Sequence, residues 1–311
     1  MTSHITISGT NLSVFPLCLG GNVFGWSADQ EQSFTVLDAY VEAGGNFIDT
    51  ADVYSAWKEG NQGGESETII GNWMKARGNR DQLVIATKVG MWEAQKGLSA
   101  GNIKSALEGS LKRLQTDHID LYYSHVDDAA IPLYETLGIY TELKAAGKIQ
   151  HAAASNYNLA RLREAAHVSQ SHEYTKYVAV QNKYNLLDRA EFEGDIAQGI
   201  NGLGIHSISY YGLARGFLSG KYQPGVTVDS MRAGGAAEYQ NDRGWATLKE
   251  VEKIARELGT NPSAISLAWL RAKGSLPIAS ARTVEQLKEI VQVVELSDSH
   301  IRALDAVSAL S

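Results

Sequence analysis

The chain has 311 residues, 44% of them hydrophobic and 20% charged, the balance of an ordinary soluble globular protein. Its net charge of −7, from 28 basic and 35 acidic side chains, comes without a basic patch. That argues against nucleic acid as the main partner. No window approaches the roughly 18 apolar residues of a membrane span. The opening Met1-Thr-Ser-His-Ile-Thr-Ile7 shows no secretory leader, so a cytoplasmic protein is expected. The one cysteine, Cys18, excludes an internal disulfide; within Phe15-Pro-Leu-Cys-Leu19 it reads as a buried, inert thiol.

In chain order, a hairpin is expected over Ile5 to Val14, then a first strand at Leu17-Cys-Leu19. A helix follows over 29–43, with Phe34, Leu37, Tyr40 and Val41 on one face and Gly44-Gly45 as its stop. Next come a strand at 46–49, a helix over 65–77 ending at Gly78, and a strand at 83–87. The helix over 101–115 carries Ile103, Leu107, Leu111 and Leu114 at helical spacing. Further strands are predicted at 119–124, 149–154, 177–181, 205–210 and 276–279. The stretches 133–146, 158–168, 189–198, 246–258 and 262–273 read as helices between them, and 283–294 and 298–309 as two closing helices, the last capped by Ser297.

Eight strands in strict alternation with helices imply a parallel sheet, and no shift in composition divides the chain into domains. The strands are short and nearly all apolar, as strands covered on both faces must be. An open doubly wound sheet would carry G-x-G-x-x-G after its first strand, where this chain has only Gly20-Gly21-Asn22. The expected fold is therefore a single α/β domain over 1–311: a (β/α)8 TIM barrel with an N-terminal β-hairpin and a long loop after strand seven. That loop, Ala214 to Trp245, is rich in glycine and polar residues and reads as a lid.

Three strands end on reactive groups. Leu83-Val-Ile-Ala-Thr-Lys88 closes an apolar run on an ammonium, which is costly to bury without a partner. Asn46-Phe-Ile-Asp49 ends on a carboxylate, with Tyr54 five residues later, and His118–His125 ends on an imidazole. In a barrel these ends converge on the C-terminal rim, where barrel enzymes keep their chemistry. The set suits carbonyl reduction, because hydride addition leaves charge on an oxygen that needs a proton. Tyr54 is the expected donor, with Lys88 lowering its pKa, Asp49 orienting Lys88, and His125 polarising the substrate oxygen. No metal is expected: the eight histidines show neither H-x-H nor H-E-x-x-H. No G-x-S-x-G elbow supports a serine hydrolase.

The chain resembles an aldo-keto reductase over nearly its whole length. Gly45-Asn-Phe-Ile-Asp-Thr-Ala-Asp-Val-Tyr54, then Gly64-Glu-Ser-Glu67 and Ile70-Gly71, is similar to the family's first signature. Ala86-Thr-Lys88, His125-Val-Asp-Asp128, Pro132 and Glu135-Thr-Leu137 continue the likeness. It implies a catalytic tetrad of Asp49, Tyr54, Lys88 and His125.

The same resemblance implies a nicotinamide cofactor. Ser155, Asn156 and Gln181 would hold the carboxamide, with Gly21 and Asp49 nearby, and Tyr210 would stack on the ring. Leu213, Arg215, Gly216 and Lys221 resemble the loop over the pyrophosphate. Ser280, Arg282 and Gln286 resemble the adenosine-phosphate motif, where an arginine at a helix start suits a 2′-phosphate and so NADP(H). Two departures stand out: Tyr210-Tyr-Gly-Leu213 replaces a usual Tyr-Ser-Pro-Leu, and Ile290 replaces an asparagine. Phe24, Trp26, Trp57, Met91 and Trp92 are candidate pocket walls for a small carbonyl substrate. The alternative to an enzyme is a regulatory protein that senses nicotinamide cofactor on the same fold.

Overall fold

In the computed structural model, residues 4–226, 228 and 233–309 are described. An antiparallel hairpin, β1 (Ile5–Thr6) and β2 (Ser13–Val14), opens the chain. Eight parallel strands then close into a barrel among the described residues. They are β3 (Cys18–Gly20), β4 (Phe47–Asp49), β5 (Val84–Val89), β6 (Ile119–Ser124), β7 (Ile149–Ser155), β8 (Tyr177–Lys183), β9 (His206–Tyr210) and β10 (Ser275–Ala279). Each pairs with the next, and β10 pairs back to β3.

The period-two alternation of these strands builds two apolar layers. Phe47, Val84, Ala86, Leu121, Tyr123, Ala153 and Ile208 fill the barrel interior, where Ile7, Leu12 and Val14 of the hairpin stop its lower end. Their neighbours Ile48, Ile85, Ile119, Tyr122 and Ala152 face outward into the larger core under the helices. The inward parity continues upward. Lys88 follows Val84 and Ala86 on the inner face, Asp49 follows Phe47, and Gln181 follows Ala179. Register then brings them together, since Asp49 pairs with Ala86, Lys88 with Tyr123 and Ser155 with Gln181.

The helical layer consists of α1 (Gln30–Glu42), α2 (Glu65–Arg77), α3 (Ala100–Leu114), α4 (Leu133–Ala145), α5 (Leu159–His172), α6 (Ala197–Leu203), α7 (Ala233–Ala237), α8 (Asp242–Glu257), α9 (Pro262–Ala272), α10 (Val284–Ile290) and α11 (Asp298–Val307). Local chemistry starts and stops them. Asp29 and Gln32 form a reciprocal capping box at the head of α1. Ser99, Asn158, Asn241, Asn261, Thr283 and Ser297 cap later helices through their side chains.

The barrel and its hairpin are as expected, and four details differ. β5 runs on to Val89, so Lys88 lies inside the strand, paired across to β6, rather than at its end. The expected helix 189–198 contains a π-turn over Phe192–Ile196 and continues as α6 to Leu203. The helix expected over 283–294 stops at Ile290. The segment 214–245 is less irregular than its composition suggests: a 3-10 turn spans Ala214–Ser219, α7 follows, and the Asn241 cap starts α8 at Asp242. Residues 227 and 229–232 of that segment lie outside the described residues.

At Gly71, helices α2 and α3 meet closely: a Cβ there would lie 2.2 Å from the Arg113 carbonyl oxygen and 2.7 Å from the Leu114 carbonyl carbon. Both obstacles are backbone, so no side-chain rotation relieves the clash. Gly71→Ala is expected to lower unfolding free energy by about 1–3 kcal/mol, measured by urea denaturation. The ~1 kcal/mol helix-propensity gain of alanine over glycine would show alone only if the helices part freely.

Candidate active site

The strand ends of the upper rim surround a cavity of about 770 Å³. At its floor Lys88, wholly buried, donates to Asp49 Oδ2 at 2.6 Å, to the Thr50 carbonyl at 2.8 Å and to the Tyr54 hydroxyl at 3.0 Å. All three ammonium hydrogens thus have acceptors. Asp49 is equally enclosed: its Oδ1 accepts from Gln181 Nε2 at 2.9 Å, and its Oδ2 also accepts from the Tyr54 hydroxyl at 3.2 Å. The ammonium lies 4.7 Å from the centre of the Tyr54 ring. Asp49, Tyr54 and His125 line the cavity, while Lys88 stands behind them.

Electrostatics depart from the sequence expectation at one point. The Tyr54 phenol is pushed well above its ordinary range, first by burial and then by the Asp49 carboxylate, rather than lowered by Lys88. Burial disfavours the phenolate outright, and Asp49 adds to this by neutralising much of the ammonium's field and accepting the phenol's own hydrogen. Tyr54 therefore rests protonated. The His125 imidazole is pushed well below its ordinary value by burial and by the nearby Lys88 charge, so it stands neutral at physiological pH. Its ring packs edge-on to Tyr54 with centroids 6.0 Å apart, and its Nδ1 is buried without a partner among the described residues.

The wall beside this floor is polar. Ser155 Oγ donates to the Gln181 carbonyl at 2.9 Å, and Asn156 Nδ2 to the His125 carbonyl at 2.9 Å. The Tyr210 hydroxyl donates to Asn156 Oδ1 at 2.8 Å. Further along, Leu213, Arg215, Gly216 and Lys221 line the cavity, and Ser280, Arg282 and Gln286 close its far end. Ser280 Oγ donates to Asn22 Oδ1 at 2.7 Å across the barrel seam, where a Cβ on Gly20 would lie 2.7 Å from that hydroxyl. Asn156, Tyr211, Ala214 and Arg215 all hold positive φ of 47–58°. Such left-handed non-glycine residues cost of order 1–3 kcal/mol each and gather where a ligand is handled. Arg215 stacks 5.0 Å from the Tyr211 ring, and its buried Nε has no partner among the described residues. A polar-walled cavity lined by an arginine whose Nε is unpaired among the described residues, although its Nη1 reaches Glu238 Oε1 at 3.5 Å, fits a dinucleotide with its pyrophosphate.

Not every expected residue is in that wall. Trp26, Trp57 and Met91 line the mouth, with Trp26 and Tyr54 edge-on to Trp57 at 5.8 and 6.0 Å. Phe24 instead turns into the apolar core, its carbonyl accepting from Ser55 Oγ. Trp92 faces away, 5.6 Å from the Arg113 guanidinium. Gly21 is buried behind the wall, its carbonyl accepting from Ser66 Oγ. The sequence reading missed Asn22, Tyr211, Ser263 and Glu289, all of which line the cavity. Asn22 and Tyr211 carried a readable signal, since Tyr211 directly follows the end of β9 and Asn22 lies two residues past the end of β3. Among the described residues no cluster of three or more His, Cys, Asp or Glu side chains could hold a metal ion, and no helix is long and apolar enough to cross a membrane.

A parallel barrel with a buried acid, lysine and tyrosine at its upper rim defines a class of barrel oxidoreductases. The Aldo/keto reductase family profile matches residues 16–309, and the chain belongs to that family, whose members generally use nicotinamide cofactors. It is 34% identical over 301 residues to the uncharacterized oxidoreductase YrpG of Bacillus subtilis, covering 93% of this chain and 90% of that one. It is 32% identical over 333 residues to protein tas of Escherichia coli, with 97% and 96% covered. Norsolorinic acid reductase of Aspergillus flavus is 30% identical over 323 residues, with 97% and 80% covered.

Removing one member of a buried ion pair strands the other. Lys88→Met is expected to reduce stability by roughly 3–5 kcal/mol, and adding Asp49→Asn to recover a large part of that loss. Urea denaturation of the two variants checks this; a double variant less stable than Lys88→Met would contradict it.

Proposed function

We propose that this oxidoreductase is an NADP(H)-dependent carbonyl reductase that converts an aldehyde or ketone to its alcohol. The observation that carries the reading is the single phenolic oxygen of Tyr54, held by Lys88 at 3.0 Å and Asp49 at 3.2 Å where it meets the cavity. A nicotinamide cofactor, when bound, supplies the hydride. Ser155, Asn156 and Gln181 would hold its carboxamide, and Tyr210 its ring.

The chain's own residues manage the proton. Tyr54 rests protonated and gives its hydrogen to the carbonyl oxygen only as negative charge develops there. The phenolate left behind is met by the Lys88 ammonium, so stabilisation arises in the transition state rather than beforehand. Asp49, anchored by Gln181, keeps Lys88 aimed at that oxygen. Neutral His125 offers the substrate oxygen a hydrogen bond without competing for the proton. Trp26, Trp57 and Met91 form an apolar mouth that suits a hydrophobic carbonyl compound. The reductase named for norsolorinic acid among the relatives agrees with this reading.

NADPH oxidation against a panel of aldehydes and ketones tests the proposal. Tyr54→Phe is expected to lose turnover by about 10²–10⁴-fold while cofactor still quenches tryptophan fluorescence. An unchanged rate in that variant would sink the proton-donor role. Cofactor binding without turnover across the panel would favour a cofactor-sensing protein on the same fold. For the 2′-phosphate, Arg282→Ala should weaken NADPH binding by roughly ten- to a hundredfold, the worth of a hydrogen bond to a charged group, and leave NADH binding unchanged.

A further inference from the structure

Directly behind the tetrad lies a buried acid that the mechanism above does not use. Asp52 sits in the turn between Asp49 and Tyr54, has no solvent exposure, and has no partner for either carboxylate oxygen among the described residues. Its main-chain N–H donates to the Lys88 carbonyl at 3.3 Å, and the Tyr54 N–H closes the same turn on the Ala51 carbonyl at 3.1 Å. Asp52 is thus part of the short piece of backbone that carries the phenol to the ammonium.

The charges around it explain why it has no cation. Glu67 of α2 takes the nearest guanidinium: its Oε2 accepts from Arg113 Nε of α3 at 2.6 Å, and its Oε1 from Thr87 Oγ1 of β5 at 2.5 Å. Lys88 of β5 is committed to Asp49, Thr50 and Tyr54. From β6 and α4 come only the hydroxyls of Tyr122 and Tyr140; the first has no partner among the described residues, and the second bonds Ser124. An ionised carboxylate here would be a second anion beside Glu67, with only the neighbouring Val53 main-chain N–H, short of a full hydrogen bond, turned towards it.

Resting on the reductase reading, we infer that Asp52 is a positioning residue: as a neutral acid it lets the Thr50–Tyr54 turn seat against β5, and its ionisation disables the site. Ionised, it places an unpaired negative charge behind Lys88. That charge opposes the ammonium's field at Tyr54 and makes the phenol a poorer donor. It also invites water into the turn. Burial first, then repulsion from Glu67, raises the Asp52 carboxyl to about 7, with the Val53 main-chain N–H and then the Arg113 and Lys88 charges pulling the other way. The transition therefore falls near neutral pH.

The sign of the linked stability follows. Asp52 binds its proton more tightly in the folded chain than in the unfolded one. Stability is consequently undiminished below the ordinary carboxylate range, falls as pH rises from there to about 7, and is level above it. Asp52→Asn keeps the shape of the neutral acid and cannot ionise.

The experiment compares wild type and Asp52→Asn across pH, by kcat for the best carbonyl substrate and by thermal melting. Expected is an alkaline limb in wild type, falling up to about tenfold per unit beyond its pKa, that is absent from Asp52→Asn. The variant should also melt higher than wild type, by a gap that opens between about pH 4 and neutrality. The same alkaline limb in both proteins would overturn the inference, since a merely structural acid would not move it. If Asp52→Asn does not fold, Glu67→Gln decides: freeing Arg113 makes Asp52 easier to ionise, so the limb should shift to lower pH, and an unmoved limb overturns the proposal. Failure of the reductase reading is separate. If wild type reduces no carbonyl at any pH, the melting comparison alone decides, and a gap that does not change with pH refutes a neutral Asp52.

Discussion

The ion pair between Lys88 and Asp49, buried at the barrel's upper rim, is the interaction on which the site depends. Two opposite charges leave water there only because each remaining polar atom is satisfied: Thr50 and Tyr54 complete the ammonium, and Gln181 completes the carboxylate. Those partners come from the turn after β4 and from β8, and the pair itself from β4 and β5. The pair therefore ties together three of the eight strands at the barrel mouth. In turn, the parallel register of the strands sets the pair, because one residue of slip in β5 would move Lys88 to the helical side of the sheet.

The arrangement divides labour between charge and proton. Burial first, and then Asp49, which blunts the field of Lys88 and draws on the phenol's hydrogen, hold Tyr54 as a protonated acid rather than as a phenolate. On the proposed mechanism, the ammonium's full effect is reserved for the moment the proton leaves. His125 differs: burial and the same ammonium keep it uncharged, so in the proposed mechanism it would direct the substrate without titrating. Strained backbone lies on both sides of the cavity: Ser55 directly after Tyr54, Asn156 beside the floor, and Tyr211, Ala214 and Arg215 on the facing wall all turn left-handed.

Much of this was legible in the chain itself. Strict alternation of short apolar runs with amphipathic stretches specified the barrel, and polar residues at the strand ends specified the rim, because parity along a strand dictates which side chains point inward. Parity ends where strands end. Phe24 and Trp92 lie in loops, where aromatic character says nothing about direction, and both turn to protein rather than to the cavity. The start of α8 was hidden by a glycine- and polar-rich composition that only the Asn241 cap resolves. The resting state of Tyr54 was misjudged because a lysine three ångströms away is visible in a motif, whereas its neutralisation by Asp49 is a matter of distances. Asp52 went unremarked as one more turn acid; nothing in its neighbours along the chain reveals that Glu67 has already claimed the arginine.

The hairpin formed by β1 and β2 has a role that its four strand residues do not suggest. With Ile7, Leu12 and Val14 wedged into the lower opening, the barrel is a vessel with a floor. Among the described residues the cavity above the buried pair opens at the upper rim, so whatever occupies that mouth sets how polar the surroundings of Tyr54 are. A cofactor lying along the wall would act as a cork as well as a reagent, and the dielectric felt by the tyrosine would change with each loading and release.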